Sequence, residues 1–462
     1  MTPDWGALQT ALAGELLLPG SPGYEAARRP AIANFQHVRP QAVARCSTAA
    51  DVSETLAFAR RSGLDVTPRS GGHCFAGRSS TEGIVIDVTP MRAVSVSGGV
   101  ATVGAGARLD ELYDALQEHE STIPAGCGPT VGIAGLTLGG GLGILGRRHG
   151  LTCDRLLAAE VVLADGRVVD CDEHHDAELF WALRGAGGGF GVVTSLVFDT
   201  VPAPAATSFH LTWAHAGAVA LIASWQDWAP DAPDELNASL RLAAGDDPPV
   251  VHLFGAMLAG EAETLDALDR LVGRSGVDPA AASYAHQPYH DVKRSLDGLG
   301  GEPDRGGHRF ARSEFFRRPL PAEAIGALVD TLARGRGSGQ ARELNLTPWG
   351  GAYNRVPADA TAFVHRDERF LVEHVVVATE TDAAREWVRE SWACVHPWGS
   401  GRVYPNFPDP ELADPAEAYW GSNRERLLRV KRTYDPQNRF STAHPASSGH
   451  GDGAGVIGGR CA

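Results

Sequence analysis

The chain has little of what builds metal sites, disulfide frameworks or nucleic-acid surfaces. Its seven cysteines (Cys46, Cys74, Cys127, Cys153, Cys171, Cys394 and Cys461) are odd in number and widely spread. None forms a C-x-x-C pair, so neither a zinc ribbon nor a disulfide scaffold is expected, and a reducing, cytoplasmic compartment is the simpler reading. Basic runs are absent, and the formal net charge of -15 argues against nucleic acid or an anionic membrane surface as partner. No apolar run approaches the ~18 residues of a membrane span. The opening "MTPDWGALQTALAGELLLPGSPGYEAARRP" lacks a charged stretch followed by a long apolar core and does not read as a secretion signal. With no G-x-S-x-G, a nucleophile elbow is not supported either.

Glycine, by contrast, is abundant at 55 residues, and it is clustered. The clusters are "RSGGHCFAGRSS" (69–80), "PAGCGPTVGIAGLTLGGGLGILGRRHG" (124–150) and "LRGAGGGFGVVTS" (183–195). Glycine lets a backbone approach a ligand and turn successive N–H groups toward it. Three such loops in one region point to a large anionic cofactor bound in an extended form, a dinucleotide above all. Gly141, Gly143 and Gly146 match G-x-G-x-x-G, but no strand precedes them, and the acids that follow, Glu160 and Asp165, belong to a hairpin. A Rossmann site is therefore not expected. "CDEHHDAE" (171–178) precedes the helix "AELFWALRG", where acids favour the helix dipole; no metal is expected there.

Around the loops the pattern is mixed α/β. A capping box from Thr48 to Asp51 opens a helix that closes at Gly63. Leu109, Leu112, Tyr113 and Leu116 fall on one helical face, and "AEVVLADGRVVD" reads as a hairpin turning at Asp165-Gly166. "VPAPAAT" (201–207) marks a boundary, beyond which seven of the ten tryptophans lie between Trp213 and Trp398. These suggest ring-stacking surfaces for sugars or aromatic natural products, although tryptophans also build cores. The long strand "ERFLVEHVVVA" (368–378) alternates Leu371, Glu373 and Val375 on one face with His374 on the other.

Taken in order, R-S-G-G-H-x-x-x-G, G-C-G-P-T-V-G-I-A-G-L-T-L-G-G-G-L-G, G-L-T-C-D, L-F-W-A-L-R-G-A-G-G-G-F-G-V-V-T and the closing Y-P-N-F…Y-W-G-S-N-R-E-R-L-L-R-V-K-R-T-Y-D-P-Q-N-R-F resemble the berberine bridge enzyme-like oxidases of the vanillyl-alcohol oxidase / p-cresol methylhydroxylase superfamily, over about residues 36 to 447. The resemblance implies an α+β, two-lobed protein. A PCMH-type FAD-binding domain would occupy residues 1–203 and an antiparallel-sheet substrate domain covered by helices residues 204–400. Residues 401–447 would return to the FAD lobe, with a flexible tail at 448–462.

It also implies FAD covalently attached at His73 through its 8α-methyl. The cofactor wall would comprise Arg69, Ser70, Gly71, Gly72, Gly77, Ser79, Gly126, Thr130, Val131, Gly132, Gly135, Gly140, Gly141, Gly143, Asp154, Gly191, Val193, Tyr404 and Asn406, with Val131 tuning oxygen access. Relatives carry a second link from a cysteine in C-P-x-V-G; here Cys127 stands one residue early, which leaves both a second bond and a free thiol open. Glu373, Tyr404 and Asn406 are the implied catalytic groups, with Glu373 or Tyr404 as base. The implied reaction is oxidation of an alcohol, amine or activated C–H centre of a sugar or natural product by dioxygen, giving hydrogen peroxide. The rival readings are a dehydrogenase with another acceptor and a flavin-holding protein without turnover.

Overall fold

The computed structural model describes residues 3–245, 248–297, 307–335 and 339–440. The expected tail at 448–462 lies outside them. Among the described residues the chain builds an α+β architecture from a four-stranded and a five-stranded sheet near its start, a two-stranded pairing of Ser121–Thr122 with Val201–Pro202, and one large sheet after residue 205. Among the described residues no helix is long and apolar enough to cross a membrane.

The first sheet orders Glu15–Leu17, Ala42–Arg45, Ile84–Asp87 and Val66–Arg69, the last three parallel. Its crossover is the Ala49–Ser62 helix, built as the sequence dictates. Thr48 Oγ1 accepts from Asp51 N at 3.1 Å, Asp51 returns a carboxylate oxygen to Thr48 N, and Gly63 closes the helix at φ +65°. The second sheet is antiparallel: Val94–Ser97, Val100–Gly104, Val192–Asp199, Leu156–Val162 and Val168–Asp172, the last two being the expected hairpin. One core binds both sheets to the Leu109–Gln117 helix through Leu109, Leu112, Tyr113 and Leu116. The Pro415–Trp420 and Arg424–Tyr434 helices return to this same core with Trp420, Leu427 and Val430.

The third sheet has seven antiparallel strands, in the order Ala281–Gln287, Ala206–Ala214, Val250–Met257, Leu236–Ala244, Ala341–Pro348, Phe370–Ala378 and His308–Phe316. Alternation sorts its two faces. Leu211, Leu253, Leu240, Leu344 and Val372 pack under helices such as Ala218–Trp228 and Ala322–Ala333. The opposite face mixes polar residues such as Asn345 and Glu373 with apolar ones such as Leu371 and Phe315. Of the two readings of the tryptophans, the core-building one holds for Trp213, Trp225 and Trp387: they are buried in the helix-covered core, and their indole N–H groups donate to backbone carbonyls. In this lobe they are packing residues and not stacking platforms.

Candidate active site

The Val66–Arg69 strand ends at the rim of a cleft, and the residues after it form the cleft's wall. The cleft encloses about 1510 Å³, counting the open space at its mouth. Arg69, Ser70, Gly71, Gly72, His73, Ser79, Val131, Gly132, Gly135, Gly191, Val193 and Asn406 all line it, so the three glycine loops do converge. The first two touch backbone to backbone. A Cβ on Gly71 would lie 2.3 Å from Gly132 N, and one on Gly132 would lie 2.2 Å from Ser70 Oγ. Larger residues there would push the loops apart and open the wall.

His73 is half-buried on this wall, with Nε2 3.0 Å from Thr130 Oγ1. Burial, helped by the Arg108 charge, holds its pKa below the usual histidine value, so the ring is neutral near pH 7. Arg69 contributes differently than a phosphate clamp would. Its buried guanidinium donates to the carbonyls of Ser79, Ala27 and Arg28, closing the 69–80 loop on itself.

Several expected wall residues stand behind the wall. Gly77 packs on the Phe35 ring, Gly140 on Phe363, Gly141 on Thr152 and Gly143 on the Ala125 carbonyl, all too close for a side chain. Asp154 serves as an anchor: its carboxylate holds Arg366 in a bidentate pair at 2.6 and 2.8 Å and caps its own turn through Leu151 N. Cys127 is absent from the cleft lining, and its electrostatic neighbours are Tyr113, Tyr289 and Lys293.

Tyr404 also differs from expectation. It is 1% exposed, within an aromatic cluster with Phe315, Trp349, Phe363 and Phe407. Its phenol oxygen accepts from Gly141 N (3.0 Å), Leu142 N (3.1 Å) and Asn406 Nδ2 (3.1 Å), and burial pushes its pKa up to about 12. The phenol thus braces the second glycine loop, and Asn406, which also donates to Leu136 O, is the member of the pair that reaches the cleft.

Glu373 sits on the mixed face of the large sheet and is 5% exposed. Arg309 Nη2 donates to Oε1 at 3.0 Å and Asn345 Nδ2 to Oε2 at 3.3 Å. Burial raises its pKa, while Arg309 and Asn345 pull it back. The Arg309 guanidinium also stacks 4.6 Å from the centroid of Phe75, a cleft residue, which ties Glu373 to the cofactor wall. Strand register lines up Thr212, His252, Arg241, Asn345, Glu373 and Ser313 as direct cross-strand partners, a polar row spanning six strands.

Sequence reasoning missed Arg309, Phe75 and two buried lysines. Lys431 donates to Gly189 O, Phe440 O and Asp435, fixing the third glycine loop. Lys293 donates to Tyr113 Oη and to the carbonyls of Ala125 and Gly126. Nothing in a helix's periodicity distinguishes a lysine that crosses to another lobe from one in solvent.

The cleft suits a flavin dinucleotide. Val131, Leu136, Leu138 and Val193 give apolar walls for flat rings, the Gly187–Gly189 backbone lets a diphosphate approach, and Arg78 supplies positive charge. Comparison with known proteins agrees. A family model for an FAD binding domain matches residues 40–172, and one described as berberine and berberine like matches residues 403–445. An uncharacterised FAD-linked oxidoreductase of Bacillus subtilis is 32% identical over 94% of this chain and 96% of its own. The (R)-6-hydroxynicotine oxidase of Paenarthrobacter nicotinovorans is 30% identical, covering 94% and 96%. The solved glucooligosaccharide oxidase of Acremonium strictum, described as carrying a 6-S-cysteinyl, 8α-N1-histidyl FAD, superposes with a TM-score of 0.83 at 25% identity over 94% and 97% of the two chains.

Proposed function

The chain belongs to the berberine bridge enzyme-like family of FAD-linked oxidoreductases, and from that premise we propose that it is an oxidase with FAD covalently attached at His73. One arrangement carries the reading. A neutral histidine stands on the wall of a cleft built for a dinucleotide, and the facing lobe presents a buried carboxylate through Arg309 and Phe75. When bound in this cleft, FAD would supply a hydride acceptor that dioxygen could reoxidise, with hydrogen peroxide as the by-product.

The chain's own residues do the rest. Glu373 takes the proton from the substrate's O–H or N–H as the hydride leaves the adjoining carbon. Arg309 favours the ionised form of Glu373 and, with Asn345, fixes its direction. The polar row around Glu373 orients a small molecule bearing several hydrogen-bonding groups, a sugar or a polar natural product. Phe75 and Phe407, whose rings stand 6.0 Å apart at the cleft, exclude water.

The test has two arms. Acid-precipitated protein is digested and the flavin-bearing peptides are weighed; flavin on the His73 peptide is the expected result, and full release of flavin overturns the covalent attachment. A panel of oligosaccharides and cyclic amines is then screened for aerobic peroxide. Flavin reduction without peroxide would make the protein a dehydrogenase.

A further inference from the structure

Attachment at His73 needs one ring nitrogen free toward the flavin and the other held. In a neutral imidazole one nitrogen carries the proton and the other the lone pair. The Thr130 backbone carbonyl bonds the His73 ring, and Thr130 Oγ1 lies 3.0 Å from Nε2. With Nε2–H donating to that oxygen, Nδ1 keeps the lone pair. The net reaction joins the flavin's 8α carbon to the imidazole nitrogen. One hydrogen leaves the methyl and one leaves the imidazole, and both pass with their electron pair to dioxygen as hydrogen peroxide. Nε2 has then lost its proton and become an acceptor. A hydroxyl accepts before the bond forms and donates afterwards, which neither a carbonyl nor an amide N–H can do.

Thr130 itself is exposed, so its place depends on the turn that carries it. Downstream the turn is fixed to the Leu109–Gln117 helix, with Leu109 N donating to Val131 O at 3.0 Å and Asp110 N to Pro129 O at 3.1 Å. Upstream it is fixed from the other lobe. Lys293, on the Tyr289–Asp297 helix, reaches across to donate to Gly126 O at 2.7 Å, Tyr113 Oη at 2.8 Å and Ala125 O. Tyr113 donates to Gly126 O as well, at 2.7 Å. All three partners of this buried ammonium are uncharged, so it is held at a desolvation cost that a neutral residue would avoid.

We propose that Thr130 is the positioning residue that presents Nδ1 of His73 to the flavin, and that Lys293 holds Thr130 in place from the substrate lobe. The proposal rests on His73 being the attachment point.

Apoprotein made under riboflavin limitation is given FAD, and the flavinylated fraction of the His73 peptide is followed by mass spectrometry. Native flavin retention and circular dichroism are recorded alongside. Thr130→Val should slow attachment at least tenfold while FAD still binds, and Thr130→Ser should restore it. Lys293→Met should slow it too, and the double variant Thr130→Val/Lys293→Met should be no slower than the slower single. Attachment at the unmodified rate in Thr130→Val overturns the role of Thr130. Either the unmodified rate in folded Lys293→Met or fully multiplicative effects in the double variant overturns the role of Lys293. Should Lys293→Met fail to fold, Tyr113→Phe removes one donor to the Gly126 carbonyl and leaves the lysine in place; it is expected to slow attachment by a smaller factor, and no slowing overturns the link. If the unsubstituted protein carries no covalent flavin, it is the proposed function that fails, a result separable from all of these.

Discussion

Arg309 Nη2 lies 3.0 Å from Glu373 Oε1, and the same guanidinium covers Phe75 on the cofactor side of the cleft. The arginine therefore sets the protonation of the proposed base. Glu373 must be ionised to accept a proton, so activity should rise with pH through its pKa. Burial has already moved that value up from the ordinary glutamate range, and Arg309 opposes the shift. Arg309→Met removes the opposing charge. The acid limb of kcat/KM should move to higher pH by about one to three units, the usual effect of one adjacent charge. An unmoved limb would mean that Glu373 is not the titrating group.

A matching control is Glu373→Gln, which keeps the shape and the acceptor for Arg309 but cannot take a proton. Loss of a general base typically costs about 10²–10⁴ in kcat. The flavin content of the variant should equal that of the parent, because Glu373 does not line the cofactor cleft. Full activity with the best substrate would remove Glu373 from the chemistry.

Asp154 and Arg366 form the best-buried ion pair near the site, with side chains 7% and 3% exposed. Arg366 also donates to Thr361 Oγ1 and to the carbonyls of Tyr353 and Phe363, so it gathers the 353–366 segment around one point. Arg366→Met strands a buried carboxylate, and a loss of about 3–5 kcal/mol in chemical denaturation is expected. Adding Asp154→Asn should recover part of that loss, since the stranded charge is then gone. Additive losses, with Asp154→Asn costing as much without Arg366 as with it, would show that the pair does not couple.

Much of this was legible in the chain. Glycine clusters announced the cleft because close backbone approach leaves few other residues possible. The capping box at Thr48 and the alternation at Leu371, Glu373 and Val375 follow from local geometry. What stayed hidden was where long polar side chains go once the lobes meet. Asp154 and Arg366 are 212 residues apart and Lys293 and Gly126 are 167 apart. The bracing by Tyr404 was hidden for the same reason: position in a motif gives no sign of which three N–H groups will occupy its oxygen. The tryptophans were open to two readings because one apolar ring serves a core as well as a ligand.

Cys127 bears on how many bonds hold the flavin. The residue after it, Gly128, occupies the place from which a C-P-x-V-G cysteine would act, and Cys127 itself does not line the cleft. A single attachment is expected. Cys127→Ala should retain unchanged covalent flavin, and the intact protein should still react with a thiol reagent at Cys127 after unfolding. A cross-link between the His73 and Cys127 peptides would contradict this.

Tyr404→Phe separates bracing from catalysis. Phenylalanine fills the same space among Phe315, Trp349 and Phe363, so packing is kept. The two backbone N–H groups of Gly141 and Leu142 lose their acceptor, and a cost of about 1–3 kcal/mol is expected. Asn406 keeps its bond to Leu136 O and so stays on the cleft wall. Activity of the folded variant should therefore remain within a few-fold of the parent. With the phenol pKa pushed up to about 12, no limb of the pH profile below 10 should change. If Tyr404 were the base, the outcome would be reversed: stability nearly kept, and kcat lower by about 10²–10⁴.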